Sequence, residues 1–208
     1  MKNIRQLLHE NVLKTNLIDF QINLLDRIDE VTEANKWCLF ESIRGSGTFY
    51  LLSAYAYEKA FLYPGIRISI VGSSFKQAKL ITDCIAKFSK ESKIGLHTNH
   101  INEARIEVGK SSILARPIDD GSKICGIRSH ILIFPDFISI PKDKFETIVS
   151  GFAITESSLP QKIIIAQCDD VDLELYEGYI KYRRSAINQE SLIKIKREDF
   201  PEGWLNDK

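Results

Sequence analysis

The sequence has no Cys-x-x-Cys pair. Its four cysteines, Cys38, Cys84, Cys125 and Cys168, are scattered over 208 residues, and none has a histidine at metal-ligand spacing. That excludes a disulfide framework or a zinc site and leaves reduced thiols, the state expected in a cytosol. There is no charge of one sign, because 28 Lys and Arg stand against 28 Asp and Glu. A surface that grips a polyanion all over is thereby excluded, though a local basic patch is not. There is no long apolar run. The longest uncharged stretch, Gly45 to Tyr57, has 13 residues and is too short to span a bilayer. The N-terminus, MKNIRQLLHENVLK, is charged throughout and lacks the apolar core of a secretion signal. No repeat, low-complexity tract or Pro/Gly/Ser linker divides the chain. The expectation is a soluble, non-secreted protein with no membrane segment and one domain, residues 1–208. His9, His97, His100 and His130 show no metal spacing, with His97 and His100 read as a loop pair. Ser46, Ser139 and the cysteines have no general base beside them in sequence, so nothing supports nucleophilic catalysis.

What is there is alternation of strands and helices. Leu17, Phe20, Leu24, Leu25 and Ile28 recur at helical spacing, with Asn16 or Asp19 as cap and an end near Val31. KWCLFESI (Lys36 to Ile43) reads as a strand and Thr48 to Tyr63 as an aromatic-rich core helix stopped by Pro64-Gly65. IRISIVG (Ile66 to Gly72) reads as a buried strand and SFKQAKLITDCIAKFSKES as a helix capped by Ser73 or Ser74. ARIEVG and SSILARP suggest a hairpin turning at Gly109-Lys110. SHILIF (Ser129 to Phe134) and QKIIIAQC (Gln161 to Cys168) are further apolar strands. KDKFETIVSGFAI and DLELYEGYIKYRR read as helices, and SLIKIKRE as a last strand. Continuous apolar strands between helices predict an α/β fold with a mostly parallel sheet sandwiched by helices.

In such a sheet the chemistry sits at the carboxyl ends of the strands. After the first strand comes RGSGTFY, a strand–Gly turn–helix unit of the kind that turns backbone N–H groups toward a phosphate. Set on the P-loop pattern G-x-x-x-x-G-K-S/T, Ser42 takes the place of the first Gly, Thr48 that of the Lys and Phe49 that of the hydroxyl residue. HILIFPDF has the shape of four apolar residues followed by an acid, but Pro135 falls where a metal-holding acid belongs and Asp136 where a water-orienting acid belongs.

The order of these segments resembles the ATPase domain of the large terminase subunit of tailed phages, the motor that packages DNA into proheads. The stretches that carry the resemblance are DFQINLLDRI, RGSGTFY, SFKQAKLITDCI, IEVGKSSILARPIDDGSKICGIRS, HILIFPDFISIPKDKFETIV and REDFPEGWLNDK. It covers nearly all of the chain from about Asn16. It implies a P-loop NTPase fold of the ASCE or RecA-like kind, with residues 1–35 as an N-terminal helical segment and 181–208 as the closing segment. It also implies roles. Phe20 and Gln21 match the adenine-contacting Gln motif. Arg44, Gly45, Ser46 and Gly47 match the start of the phosphate loop, and Thr48 stands at its lysine. Pro135 and Asp136 stand at the Walker B pair. Ala166, Gln167 and Cys168 stand at the coupling motif. Gly126 and Arg128 match the glycine and arginine before Walker B, and Cys125 replaces an arginine. The clustered acids of the family's nuclease domain have no counterpart, so no nuclease function follows.

The substitutions have a physical cost. A lysine ammonium beside the β and γ oxygens contributes on the order of 4 kcal/mol at an effective dielectric of ~20. Pro135 offers neither a ligand atom nor an N–H. If the register slips by one, Thr48 supplies the Mg²⁺ hydroxyl and Asp136 the metal carboxylate, but Phe137 then stands where the catalytic acid belongs. The leading expectation is therefore a degenerate terminase-like ATPase domain in the host cytoplasm, binding nucleotide, DNA or a packaging partner with little or no hydrolysis. ATP and Mg²⁺ are its implied ligands, and a fully degraded site requires neither. The implied partners are small terminase, portal, a separate nuclease chain and double-stranded DNA. The alternative is an active packaging ATPase in which Arg44 replaces the loop lysine. A third reading is a structural remnant whose site Phe49 or Phe137 fills. The six basic residues between Lys181 and Glu198 suggest a DNA or partner contact, or else a solvated face and a lysine-guarded edge strand.

Overall fold

A computed structural model describes residues 3–100, 103–118, 128–137, 140–151, 158–168, 177–202 and 204. Eight strands form one sheet: β1 (Trp37–Ser42), β2 (Arg67–Gly72), β3 (Leu96–His100), β4 (Glu103–Val108), β5 (Ser111–Pro117), β6 (Ile131–Phe134), β7 (Lys162–Cys168) and β8 (Leu192–Lys194). Their spatial order is β3-β4-β5-β2-β6-β7-β1-β8. All pairings from β5 to β8 are parallel, and the β3-β4-β5 end is antiparallel. The continuous apolar runs explain the centre. Every residue of β6 is buried, and Ile164, Ile165 and Ala166 of β7 are buried too. Each such Ile or Phe contributes roughly 1.5–3 kcal/mol of transfer free energy.

The helices cover both faces. Helices α2 (Asp19–Asn35), α3 (Thr48–Leu62) and α4 (Phe75–Ser92) pack on one core, together with a π-helical turn over Leu8–Leu13, and the short α1 (Ile4–Leu7) before that turn buries no residue. Helices α5 (Lys142–Gly151) and α6 (Glu177–Asn188) close the other, around Phe134, Phe137, Phe145 and Tyr179. Residues Leu51 through Ala60 of α3 are all buried, the charged pair Glu58 and Lys59 included. No described helix is long and apolar enough to cross a membrane.

Several expectations are corrected. The cap of α2 is neither Asn16 nor Asp19. Ile18 occupies that position, and its N–H donates to the Gln21 side chain at 3.2 Å. α2 also runs past Val31 to Asn35, where Lys36 takes the left-handed conformation that ends it. LHTNH, read as a loop with a histidine pair, is β3, held by antiparallel pairing to β4 from Leu96↔Glu107 to His100↔Glu103. The last strand is only β8, followed by a 3₁₀ turn over Arg197–Asp199 that breaks the alternation of SLIKIKRE. The hairpin turns at Gly109-Lys110 as expected, with Val108 opposite Ser111, and Ser74 caps α4. Residues 152–154 and 172–176, within the two expected later helices, lie outside the described residues, as does Ser139.

Gly72 joins β2 to α4 in contact. A Cβ there would lie 2.7 Å from the Ala78 backbone nitrogen, so only glycine lets the helix start this close to the sheet.

Candidate functional site

The ends of β2, β6, β7 and β1 share one edge of the sheet, because these strands are mutually parallel. The RGSG loop leaves β1 and Asp136 follows β6. With β7 between them, the two lie two strand spacings apart, about 10 Å. They face one cavity of about 520 Å³, within the usual range for a small-ligand site. Arg44, Gly45, Ser46, Gly47, Thr48 and Asp136 all line it. The sequence-expected loop residues and acid are therefore brought together.

The loop is built on backbone that a side chain disfavours. Gly45 and Gly47 have φ of 80° and 75°, and the Ser46 N–H closes the turn on the Ile43 carbonyl at 3.2 Å. No side chain caps α3 at Gly47, so its first-turn N–H groups stand at the cavity as helix-terminal donors. Thr48, at the lysine position, is tied into the loop. Its hydroxyl lies 2.6 Å from the Ser42 hydroxyl and 2.8 Å from that of Ser46. The chain thus puts three linked hydroxyls where the family pattern has an ammonium group. Among the described residues, Arg44 is the cation on the cavity wall.

Across the cavity, Pro135 is buried and Asp136 half-buried. Gln77, in the first turn of α4, donates its Nε2–H to Asp136 Oδ2 at 2.6 Å. Its Oε1 accepts from the Ser73 N–H at 2.9 Å and from the Ser73 hydroxyl at 2.7 Å. Phe137 does not fill the cavity. It is fully buried in the second core, 4.7 Å from the Phe145 ring and 5.5 Å from that of Tyr182. Phe49 lines the cavity and leans on the first core. The space that the remnant reading requires to be filled is open.

Gln21 sits beside the loop, and neither it nor Phe20 is among the residues lining the cavity. A Cβ on Gly47 would be 3.8 Å from Gln21 Nε2, so Gln21 backs the loop while its Oε1 caps α2. Phe20 packs on Phe200 with ring centroids 5.0 Å apart. In the coupling segment, Gln167 lines the cavity and Ala166 is buried. Arg128 is exposed, and Cys125 and Gly126 lie outside the described residues. One carboxylate and one threonine hydroxyl meet the small protein share that Mg²⁺ takes when phosphates and water supply its other ligands. Among the described residues no three His, Cys, Asp or Glu side chains converge on a metal site of their own.

Two buried charge clusters have no counterpart in the sequence reading. Glu41, next to Ser42 on β1, is fully buried. It accepts from the Tyr179 hydroxyl and from Arg183 Nε at 2.6 Å, and Lys194 Nζ lies 3.7 Å away. Arg183 and Lys194 of the basic stretch, each about a third exposed, thus reach Glu41 and fasten α6 and β8 to the strand that feeds the loop. Lys181 and Lys196 pair with Glu146 and Glu198 on the surface. On the other face, the buried Glu58 and Lys59 of α3 and Lys162 of β7 gather around the half-buried Asp29 of α2. Arg5 and His9 of the N-terminal segment complete the cluster through Glu58, each at 2.7 Å. Burial alone would raise the Asp29 carboxyl, but Lys59 and Lys162 outweigh it and hold it at about 2. Glu58 is likewise held at about 2, with His9, Lys59 and Arg5 outweighing its burial.

A phosphate-type loop after one strand, an acid two strands over and a cavity between them define a P-loop NTPase-like α/β fold. Solved structures share it. The large terminase of a thermophilic bacteriophage matches with a TM-score of 0.62 at 13% identity, over 85% of this chain and 44% of that one. The bacteriophage HK97 large terminase matches at 0.64 and 13%, over 86% and 39%. The Thermus phage P74-26 large terminase ATPase domain matches at 0.55 and 15%, over 77% and 68%. The chain thus has the fold of a large-terminase ATPase domain. It spans less than half the length of the first two of these proteins. The thermophilic phage terminase has been solved with ADP and with ATP-γ-S. No protein-family model and no curated protein matches the sequence.

Proposed function

We propose that this chain is a terminase-type module that binds a nucleoside triphosphate in the β1–α3 loop cavity and hydrolyses it slowly or not at all. The observation that carries this reading is a site open in shape but altered in chemistry. The cavity, the two left-handed glycines and the uncapped helix start support phosphate binding. Thr48 in place of the lysine and Pro135 in place of the first acid support loss of turnover. Arg44 supplies the positive charge, Thr48 and Asp136 would hold a nucleotide-borne Mg²⁺, and that ion would neutralise phosphate charge. On this reading the module acts in viral DNA packaging in the host cytoplasm. Its partners are double-stranded DNA, small terminase, portal or a separate nuclease chain.

Calorimetric titration with Mg·ATP, with a turnover assay on the same sample, tests it. The expected result is saturable binding with turnover far below that of a working motor. Arg44→Ala should weaken binding by about tenfold or more, as expected for removing a charge held against phosphate. Absence of binding refutes the nucleotide reading. A motor-like rate establishes the second reading, an active ATPase using Arg44, which the place of Arg44 on the cavity wall favours.

A further inference from the structure

The Gln77 side chain has only one orientation that its neighbours accept. The Ser73 N–H can only donate, so the atom it meets 2.9 Å away is Oε1. The other terminal atom is then the amide nitrogen, and it faces Asp136 Oδ2 at 2.6 Å, an acceptor. The amide is locked from behind by the β2–α4 turn, and its donor is committed to the acid at the end of β6. β2 and β6 are hydrogen-bonded neighbours, so this bridge crosses between adjacent strand ends. It also sits on the cavity wall, since both Gln77 and Asp136 line that space.

We propose that Gln77 is a positioning residue that restrains Asp136, so that a nucleotide-borne divalent cation obtains Oδ2 only by displacing the Gln77 amide. The inference rests on the nucleotide-binding reading above. It adds that the metal requirement of binding is set by a neutral side chain on a different strand end. A hydrogen bond to a charged group must be given up before Oδ2 can ligate. Removing that competitor should raise the apparent Mg²⁺ affinity of the nucleotide complex by about tenfold. Metal-free nucleotide affinity should change much less than the Mg²⁺ requirement, because the Gln77 amide is engaged by Ser73 and Asp136.

The test uses the whole chain and the non-hydrolysable analogue AMP-PNP, titrated calorimetrically without metal and then with Mg²⁺. Gln77→Leu removes the donor. Gln77→Glu keeps an oxygen for Ser73 but turns a second carboxylate toward Asp136, so it too should strengthen Mg²⁺ binding. In Gln77→Leu combined with Asp136→Asn, the gain should vanish. A merely structural role for Gln77 would lower nucleotide affinity with and without metal alike, and that result overturns the proposal. So does an unchanged Mg²⁺ requirement in both single variants while wild type still binds AMP-PNP. If wild type binds no AMP-PNP under either condition, the functional reading fails and takes this inference with it.

Discussion

Replacing Glu58 with Gln removes the carboxylate shared by Arg5, His9 and Lys59 in the cluster under α3. The folded protein holds Glu58 at about 2, against an ordinary 4.5, and it is only 2% exposed. At 1.36 kcal/mol per tenfold change in proton affinity, that amounts to roughly 3 kcal/mol of stability when both states are ionised. Asp29, also held at about 2, adds roughly 2 kcal/mol by the same arithmetic. Both lean on Lys59, so the joint effect is at most roughly 5 kcal/mol. The folded-state values are lowered, so the unfolded chain binds protons first. The stabilisation is complete above about pH 4.5 and is lost as pH falls toward about 2. Urea unfolding midpoints measured from pH 7 down to about pH 3 should therefore drop steeply below about pH 4.5 in wild type. Glu58→Gln should cost about 3–5 kcal/mol at neutral pH, because Arg5 and Lys59 lose a buried counter-charge and keep only Asp26 and Asp29, and should flatten the acid slope. A wild-type midpoint that stays level across the range, or a variant with the full wild-type slope, refutes the account.

Other substitutions read different parts of the molecule. Gly72→Ala should destabilise by about 1–3 kcal/mol, since its Cβ would press on the Ala78 backbone, and thermal melting checks it. Phe137→Ala should cost about 3–5 kcal/mol in urea unfolding yet leave nucleotide affinity in place, because its ring belongs to the second core and not to the cavity. Tyr179→Phe strips one donor from buried Glu41 and should cost about 1–3 kcal/mol by the same assay.

The parts of the fold legible in the sequence are those dictated by local pattern. ILIF and KIIIAQC read as central strands because apolar runs bounded by turns fit a sheet covered on both faces. RGSG reads as a phosphate loop because glycine spacing reports left-handed backbone. β3 is illegible because LHTNH has no apolar alternation, and its strand geometry comes from pairing with β4. The cap of α2 is hidden because Ile18 is not a capping residue, and a glutamine three positions on takes over that role. Gln77 gives no signal because its partner is 59 residues away and meets it only through the adjacency of β2 and β6. Glu41 leaves a faint one, an acid inside an apolar strand, which burial would oblige to find a cation. Arg183 lies 142 residues further on, and no local spacing connects the two.

The two margins of the sheet are unlike. β8 is three residues long, with exposed lysines at 194 and 196. A short, positively charged margin repels and shortens any would-be edge-to-edge pairing. β3 is five residues long and, among the described residues, has no strand on its outer side. Stray association through backbone hydrogen bonds, in a concentrated sample or in a partly unfolded chain, should therefore begin at β3. A proline placed there on the outward-facing side is the change that should keep the protein monodisperse.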